Sequence, residues 1–314
     1  MYKGEFIAIT VALMWTACAM FTEAASRRIG AMYFNVIRMS LSLLMLIGAM
    51  WWFMGSPYPV GADATTWLWL SLSGFVGYVL GDFCLINGYV LIGSRYGQLL
   101  MTLAPPTAAI FGWMLLGQRM SPLAILGMII TLSGISIAIL RPGRGEKRAE
   151  RLPIKGVLFG IGAAIGQGLG LVFSAKGLLH YEAQMDTLGI TFRHGATAAM
   201  IVPFAATAIR AIVGCFGFII WLLIRKETAE LRHALRDRRA MWAIVGSTVT
   251  GPFIGVSLSL MATLYTAIGI AQTIMALTPV LIILPTYLLF HQKVLWQEVV
   301  GAIISVCGVS LFFL

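Results

Sequence analysis

The sequence predicts an all-α integral membrane protein of ten transmembrane helices, arranged as two five-helix repeats of inverted topology. Three observations carry that prediction. Hydrophobic residues make up 59% of the chain and charged residues 11%, with a mean hydropathy of +0.90. A soluble domain carries roughly a quarter charged residues. Apolar runs of about 20 residues recur along the chain, each long enough to cross a hydrocarbon core. Finally, the chain repeats itself: Arg38 matches Arg210, Gly77 and Gly81 match Gly251 and Gly255, Gln98 matches Gln272, and Pro105 matches Pro279. Gln118 matches Gln292, Gly127 matches Gly301, and Gly134-Ile-Ser136 matches Gly308-Val-Ser310, with no gap from Gly77 onward. Five spans per repeat bring the second copy into the membrane from the opposite side.

Taken in order, the expected spans are 5–22, 32–53, 66–88, 95–117 and 121–140, then 156–178, 204–224, 241–264, 268–290 and 295–314. The first repeat is residues 1–140, a basic linker is 141–155, and the second repeat is 156–314. The N-terminus lacks a basic leader region and a small-residue cleavage site, so it reads as the first span. The stretch from His180 to about Ala196, carrying Glu182, Asp186, Arg193 and His194, is an insertion relative to the first repeat and is expected at or across the membrane surface. Its histidines read as solvated residues of a polar loop, not as a metal site. Cys18, Cys84, Cys215 and Cys307 lie in apolar spans without CxxC or zinc-ligand spacing, which argues against a disulfide or metal framework.

The formal charge is +10, and the basic residues cluster in the linker and in the loop 225–239. The positive-inside rule accounts for it without nucleic acid and makes both loops cytoplasmic, with both termini outside. The opposite side receives Lys3, Arg119, Lys176 and Arg193.

The matched segments resemble the EamA-type family of the drug/metabolite transporter superfamily. The resemblance rests on Gly81-Asp-Phe-Cys-Leu-Ile-Asn-Gly-Tyr-Val-Leu-Ile-Gly-Ser-Arg95, on Leu103-Ala-Pro105, on Gly117-Gln-Arg-Met-Ser121, and on Gly127 and Gly134. The second copy keeps the skeleton from Ala271 to Pro279, at His291-Gln-Lys, and from Gly301 to Gly308. The resemblance covers nearly the whole chain and implies a transporter of small metabolites or drugs. The family often carries Glu where this chain has Gln118 and Gln292. A coupling role for that carboxylate is lost here, whereas a helix-end role survives the change.

Ionisable residues inside spans are costly, so each needs a reason. Asp82 and Arg38 fall at similar depth on antiparallel helices, and a direct pair is expected, either fixing helix packing or tuning Asp82 to take a proton during transport. Arg210 occupies the place of Arg38, but the counterpart of Asp82 is Val256. Arg210 is left to reach Asp186, to snorkel, to point to an interface, or to bind an anionic cargo group. The repeated Gly-xxx-Gly pairs mark faces for close helix packing or sliding.

Pro105, Pro106 and Pro279 interrupt the fourth and ninth spans and are the expected helix-break or gating positions. A central cavity is expected, with Trp15, Asn87, Tyr89, Gln98, Thr102, Gln167, Arg210, Tyr265, Gln272, Thr273 and Thr278 as its polar and aromatic points. No ATP-binding loop, HExxH motif or nucleophile–base set is present, which argues against an enzyme, and no cofactor is called for. The expected function is metabolite export by alternating access, with Asp82 as the coupling candidate if a proton gradient drives it, from a multi-pass position in the plasma or inner membrane. An uptake permease or exchanger is the alternative, and a non-transporting scaffold is the reading from another class. Expected partners are a small-molecule substrate and the lipid bilayer, with the chain a monomer or weak homodimer.

Overall fold

The computed structural model describes residues 2–139, 153–190, 192–225, 231, 234–281, 285 and 296–313, with backbone alone at several helical positions that include Tyr89, Gln98 and Pro279. Among the described residues there is no strand. The helices are α1 (Lys3–Ile29), α2 (Ala31–Met54), α3 (Ala64–Gly74), α4 (Asp82–Met101), α5 (Ala104–Leu116), α6 (Pro122–Ile139), α7 (Ile154–Leu188), α8 (Ala198–Arg225), α9 (Arg238–Thr248), α10 (Ile254–Tyr265), α11 (Ile268–Met275), α12 (Thr278–Leu281) and α13 (Trp296–Ser310). Two π-helical segments, Phe75–Gly81 and Val249–Phe253, join α3 to α4 and α9 to α10. Among the described residues seven stretches are long and apolar enough to cross a membrane, and Ala104–Leu116 and Pro122–Ala138 are shorter apolar helices.

Several expected boundaries change. The sequence placed a turn at 89–94 between the third and fourth spans, but α4 runs unbroken from Asp82 to Met101. That segment contains no proline, and its apolar residues continue the helix. The sixth span does not end at 178: α7 continues to Leu188, so half of the presumed surface loop is helix. The seventh begins at Ala198, not 204, because Pro203 sits inside α8, where a proline near a helix start removes one backbone bond without ending the helix. The linker 141–151, Gln292 and the end of the ninth expected span lie outside the described residues.

The matched prolines produce matched breaks. In the first half, α4 stops at Met101, Thr102 and Leu103 form a turn, and α5 starts at Ala104 with Pro105 in its first turn, where a missing N–H costs nothing. In the second half, α11 stops at Met275, Ala276 and Leu277 form the turn, and α12 starts at Thr278. Leu103 N–H donates to Leu100 O at 3.0 Å, and Leu277 N–H to Ile274 O at 3.1 Å, the tight i→i−3 bonds of a closing last turn. The π segments are also matched, with Gly77 and Gly251 inside them. Ile254 N–H reaches back to Val249 O, the i→i−5 bond that defines a π turn.

Two compact units emerge, each drawing on both sequence halves: Met1–Leu13, Leu80–Val172 and Tyr265–Leu314 form the first, Met14–Val79 and Phe173–Leu264 the second. In the first unit α6 packs on α13. A methyl group at Gly127 would lie 2.8 Å from Gly308 O, and one at Gly134 would lie 2.6 Å from Gly301 O. Chain numbers rise along one helix as they fall along the other, so the two are antiparallel. Between the glycines, Thr131 Oγ1 donates to Ser305 O at 3.4 Å and Ser305 Oγ donates to Thr131 O at 3.3 Å. Thr131 and Ser305 occupy the same repeat position, so the crossing is self-complementary in the manner of a two-fold contact.

In the second unit α2 and α3 pack on α8, around Val36, Met39, Tyr78, Cys215 and Phe218. The extended end of α7 grips the loop before α3: Tyr181 Oη donates to Val60 O at 2.7 Å, and His180 Nε2 meets Asp63 Oδ2 at 3.0 Å. Asp63 also caps α3, accepting from Thr66 N–H at 2.8 Å, a typical N-cap bond. The His180 contact and that cap hold its carboxyl well below the usual carboxylate range. His194, expected as a solvated loop residue, stacks on Trp52 with ring centroids 4.7 Å apart.

Candidate functional site

In the first unit, Asp82 is the first residue after the π segment, at the start of α4. Gln167 Nε2 on α7 donates to Asp82 Oδ1 at 3.0 Å. The next residue, Gly168, faces the α4–α5 break: a methyl group there would lie 2.7 Å from Ala104 O and 2.9 Å from Thr107 Cβ. Glycine lets α7 lie flush on the interrupted helix. A carboxyl group, a neutral amide donor and a helix break with a buried proline, Pro105, therefore share one locality. Thr107 Oγ1 donates to Leu103 O at 2.8 Å, occupying a carbonyl in the turn.

The same unit holds the break's counterpart. Thr278 Oγ1 donates to Met275 O at 3.0 Å. The turn between α10 and α11 is held from two sides: Thr266 Oγ1 donates to Glu5 Oε1 at 2.7 Å, and Ile268 N–H donates to Gln118 Oε1 at 3.0 Å. Gln118 thus takes the helix-end role, which needs an acceptor oxygen and no charge. Glu5 is 8% exposed and its Oε2 has no hydrogen-bond partner. Sequence reasoning passed over Glu5 because it sits where a span meets the surface, the usual place for a solvated charge.

In the second unit, Trp15 Nε1 would lie 2.9 Å from a methyl group at Gly255, and Cys18 Sγ 2.7 Å from one at Gly251. Thr22 Oγ1 and Ser247 Oγ lie 2.8 Å apart beside Cys18. Trp15 and Gln167 share a repeat position, and each meets the residues just past a π segment of the other sequence half. Arg210 lies deep in α8, ~18 Å of helix from Ala198 and ~22 Å from Arg225. It is 5% exposed, its guanidinium sits over the Tyr78 ring at 4.8 Å from the centroid, and its Nε has no hydrogen-bond partner. A mid-helix position lies beyond the reach of snorkelling. Arg38 lies over Phe34 at 5.0 Å and donates from Nη2 to Asn35 Oδ1 at 3.1 Å. Asn35 thus lies against Arg38 in the second unit, and Gln167 against Asp82 in the first. Lys176 sits over Trp69, with Nζ 4.2 Å from the centroid, which shields its charge through the ring face.

A model of the EamA-like transporter family matches residues 2–140 and again 187–314. The chain belongs to the EamA-like transporter family. It is a multi-pass membrane protein of a family that moves small molecules across membranes. No curated protein matches the chain. A solved structure described only as the crystal structure of a protein superposes with a TM-score of 0.73 at 15% identity, covering 98% of this chain and 95% of that one. At that identity the likeness shows the fold alone.

Within this EamA-like chain the remaining expected site residues divide. Asn87 Nδ2 donates to Phe83 O of its own helix at 2.8 Å, and buried Thr273 Oγ1 donates to Gly269 O at 2.6 Å. The Thr273 hydroxyl proton is used within its own turn, and Asn87 uses one of its two amide hydrogens the same way. Thr102 lies in the α4–α5 turn, Pro106 follows Pro105, Gln272 is half-buried on α11, and Tyr265 is 43% exposed at the end of α10. The side chains of Tyr89, Gln98 and Pro279 lie outside the described residues. Gly168 and the π segments were missed as site features. Gly166-Gln-Gly-Leu-Gly170 was a signal for the first, but glycine spacing does not separate an α-helical face from a π turn.

Proposed function

We propose that this protein exports small metabolites from the cytoplasm across the plasma or inner membrane, by alternating access between two five-helix repeats of inverted topology, 1–140 and 156–314 joined by the basic linker. The observation that carries the reading is the matched pair of interruptions: a π segment and a helix break at the same positions of both halves. Such interruptions free backbone groups and weaken a helix where a transporter must bend and bind. A scaffold has no use for them. The antiparallel α6–α13 contact supports the inverted arrangement, since a two-fold axis in the membrane plane relates antiparallel helices.

Asp82 is the coupling residue in this reading. Its carboxyl group accepts from a neutral amide, Gln167 Nε2, beside the α4–α5 break, and a carboxyl group at that place can take and release a proton as the helix moves. Untargeted metabolite profiling of medium and cytoplasm, comparing cells expressing wild type or Asp82→Asn at matched membrane levels, tests the function. A compound enriched outside by wild type and not by the variant supports proton-coupled export. Enrichment inside identifies an uptake permease, and no redistribution of any metabolite favours a scaffold.

A further inference from the structure

We propose that Arg210 binds the acidic group of the cargo, so that the transported molecule is an organic anion bearing a carboxylate or a phosphate. The inference rests on the transporter reading and names its substrate class.

The argument begins with what Arg210 lacks. It sits in the middle of α8, almost wholly buried, with the Tyr78 ring as its recorded contact and Nε without an acceptor. The ion pairs Arg28–Asp237 and His180–Asp63 do not touch it. A guanidinium is always protonated, and among the described residues no carboxylate pairs with this one. A ring face offsets part of that cost, but it leaves the N–H donors unused.

The neighbouring helix repeats the pattern. On α2, which packs on α8, Arg38 Nε and Ser42 Oγ are also buried without partners. They stand one helical turn apart on the same face. All three groups donate hydrogen bonds. A cationic cargo would be repelled and a neutral one would leave the guanidinium charge unbalanced, whereas a carboxylate or phosphate accepts several such bonds and supplies the missing charge. Gly74 holds α3 against this stretch of α8, with a methyl group there predicted 2.8 Å from Arg210 O. The backbone under Arg210 is therefore clamped, and the side chain is presented from a fixed base.

Binding is measured on the purified full-length protein in detergent at constant ionic strength. The probes are benzoate, inorganic phosphate and benzamide, the last matching benzoate in shape but uncharged. Benzoate or phosphate is expected to raise the unfolding temperature of wild type, with no effect of benzamide. Arg210→Gln weakens the response roughly tenfold or more, and Arg210→Lys keeps part of it. An equal response to benzamide, no response to either anion, or an undiminished response in Arg210→Gln overturns the proposal. If Arg210→Gln does not fold, phenylglyoxal labelling of wild type mapped by mass spectrometry gives the answer. Benzoate or phosphate should protect Arg210, and an Arg210 labelled equally with and without them, or never reached by the reagent, contradicts the site. Binding and transport fail separately: vesicle flux of neutral solutes without anion binding removes this inference alone, and anion binding without flux removes the transporter reading alone.

Discussion

The stretch from the π segment to the helix break is built twice, and the two versions agree at their ends and differ in the middle. Both begin with a π turn and end with a broken helix. Between those points the first half has one continuous helix, α4, whereas the second half has a turn at Thr266 and Ala267 between α10 and α11. The side chains explain the difference. Thr266 and Ile92 hold the same repeat position and both pack against a glycine at the start of a span, Gly4 and Gly156 respectively. Thr266 has a hydroxyl that Glu5 accepts, and the chain then meets the Gln118 acceptor at Ile268. Ile92 is buried and apolar, and Val157 stands where Glu5 would be. Polar support turns the chain in one half, and apolar packing keeps it helical in the other. The backbone interruptions repeat, but the charged chemistry repeats only in part: Arg38 and Arg210 match, whereas Asp82 belongs to the first half, where the second has Val256.

The shared ends give the largest expected effect. Gly134→Leu places a branched side chain where even a methyl group would lie 2.5 Å from Ser305 N. It is expected to cost about 3 kcal/mol and to abolish the monodisperse peak in fluorescence-detected size-exclusion chromatography. A variant that elutes like wild type would mean that the α6–α13 crossing does not hold the first unit together.

The recurrence of glycine and proline made these ends legible in the sequence, because Gly127, Gly134, Pro105 and their partners stand out against a random apolar background. The contacts between the halves were not legible. Gln167 reaches Asp82 only because Gly168 lets α7 close on Ala104, and no spacing rule encodes an approach between segments so far apart in the chain. Arg210 fell six residues from the start of an expected span at 204–224, whereas α8 starts at Ala198 with Pro203 inside it and so places Arg210 near mid-helix.

The middle of the comparison is sharpened by two variants at the second-half turn. Thr266→Ile imports the first-half residue and strips Glu5 of its donor inside the protein, for a loss of about 1–3 kcal/mol. Gln118→Ala removes the cap on α11 and should cost about 1 kcal/mol, while Gln118→Glu keeps an acceptor oxygen and should cost less. Thermal unfolding in detergent gives the order, and a Gln118→Glu loss as large as that of Gln118→Ala would refute the capping role.

The smallest effect is at the loop before α3. Asp63 titrates below its ordinary value, chiefly through His180 and secondarily through the Thr66 N–H. A lowered folded-state pKa contributes stability that is complete above the ordinary carboxylate range, near pH ~4, and disappears as pH falls through the lower folded value. Wild type should therefore lose a small advantage over Asp63→Asn as unfolding is measured at progressively more acidic pH. Parallel curves across that range would show that the contact does not contribute.

The most direct test of a transporter whose first half handles the proton is uphill flux in proteoliposomes. An imposed pH gradient, inside and outside buffered separately, should drive accumulation of the profiled metabolite by wild type. Asp82→Asn should abolish the gradient-driven accumulation while retaining exchange of labelled for unlabelled cargo. Accumulation by Asp82→Asn at the wild-type level would contradict the account, because the proton would then be carried elsewhere or not at all.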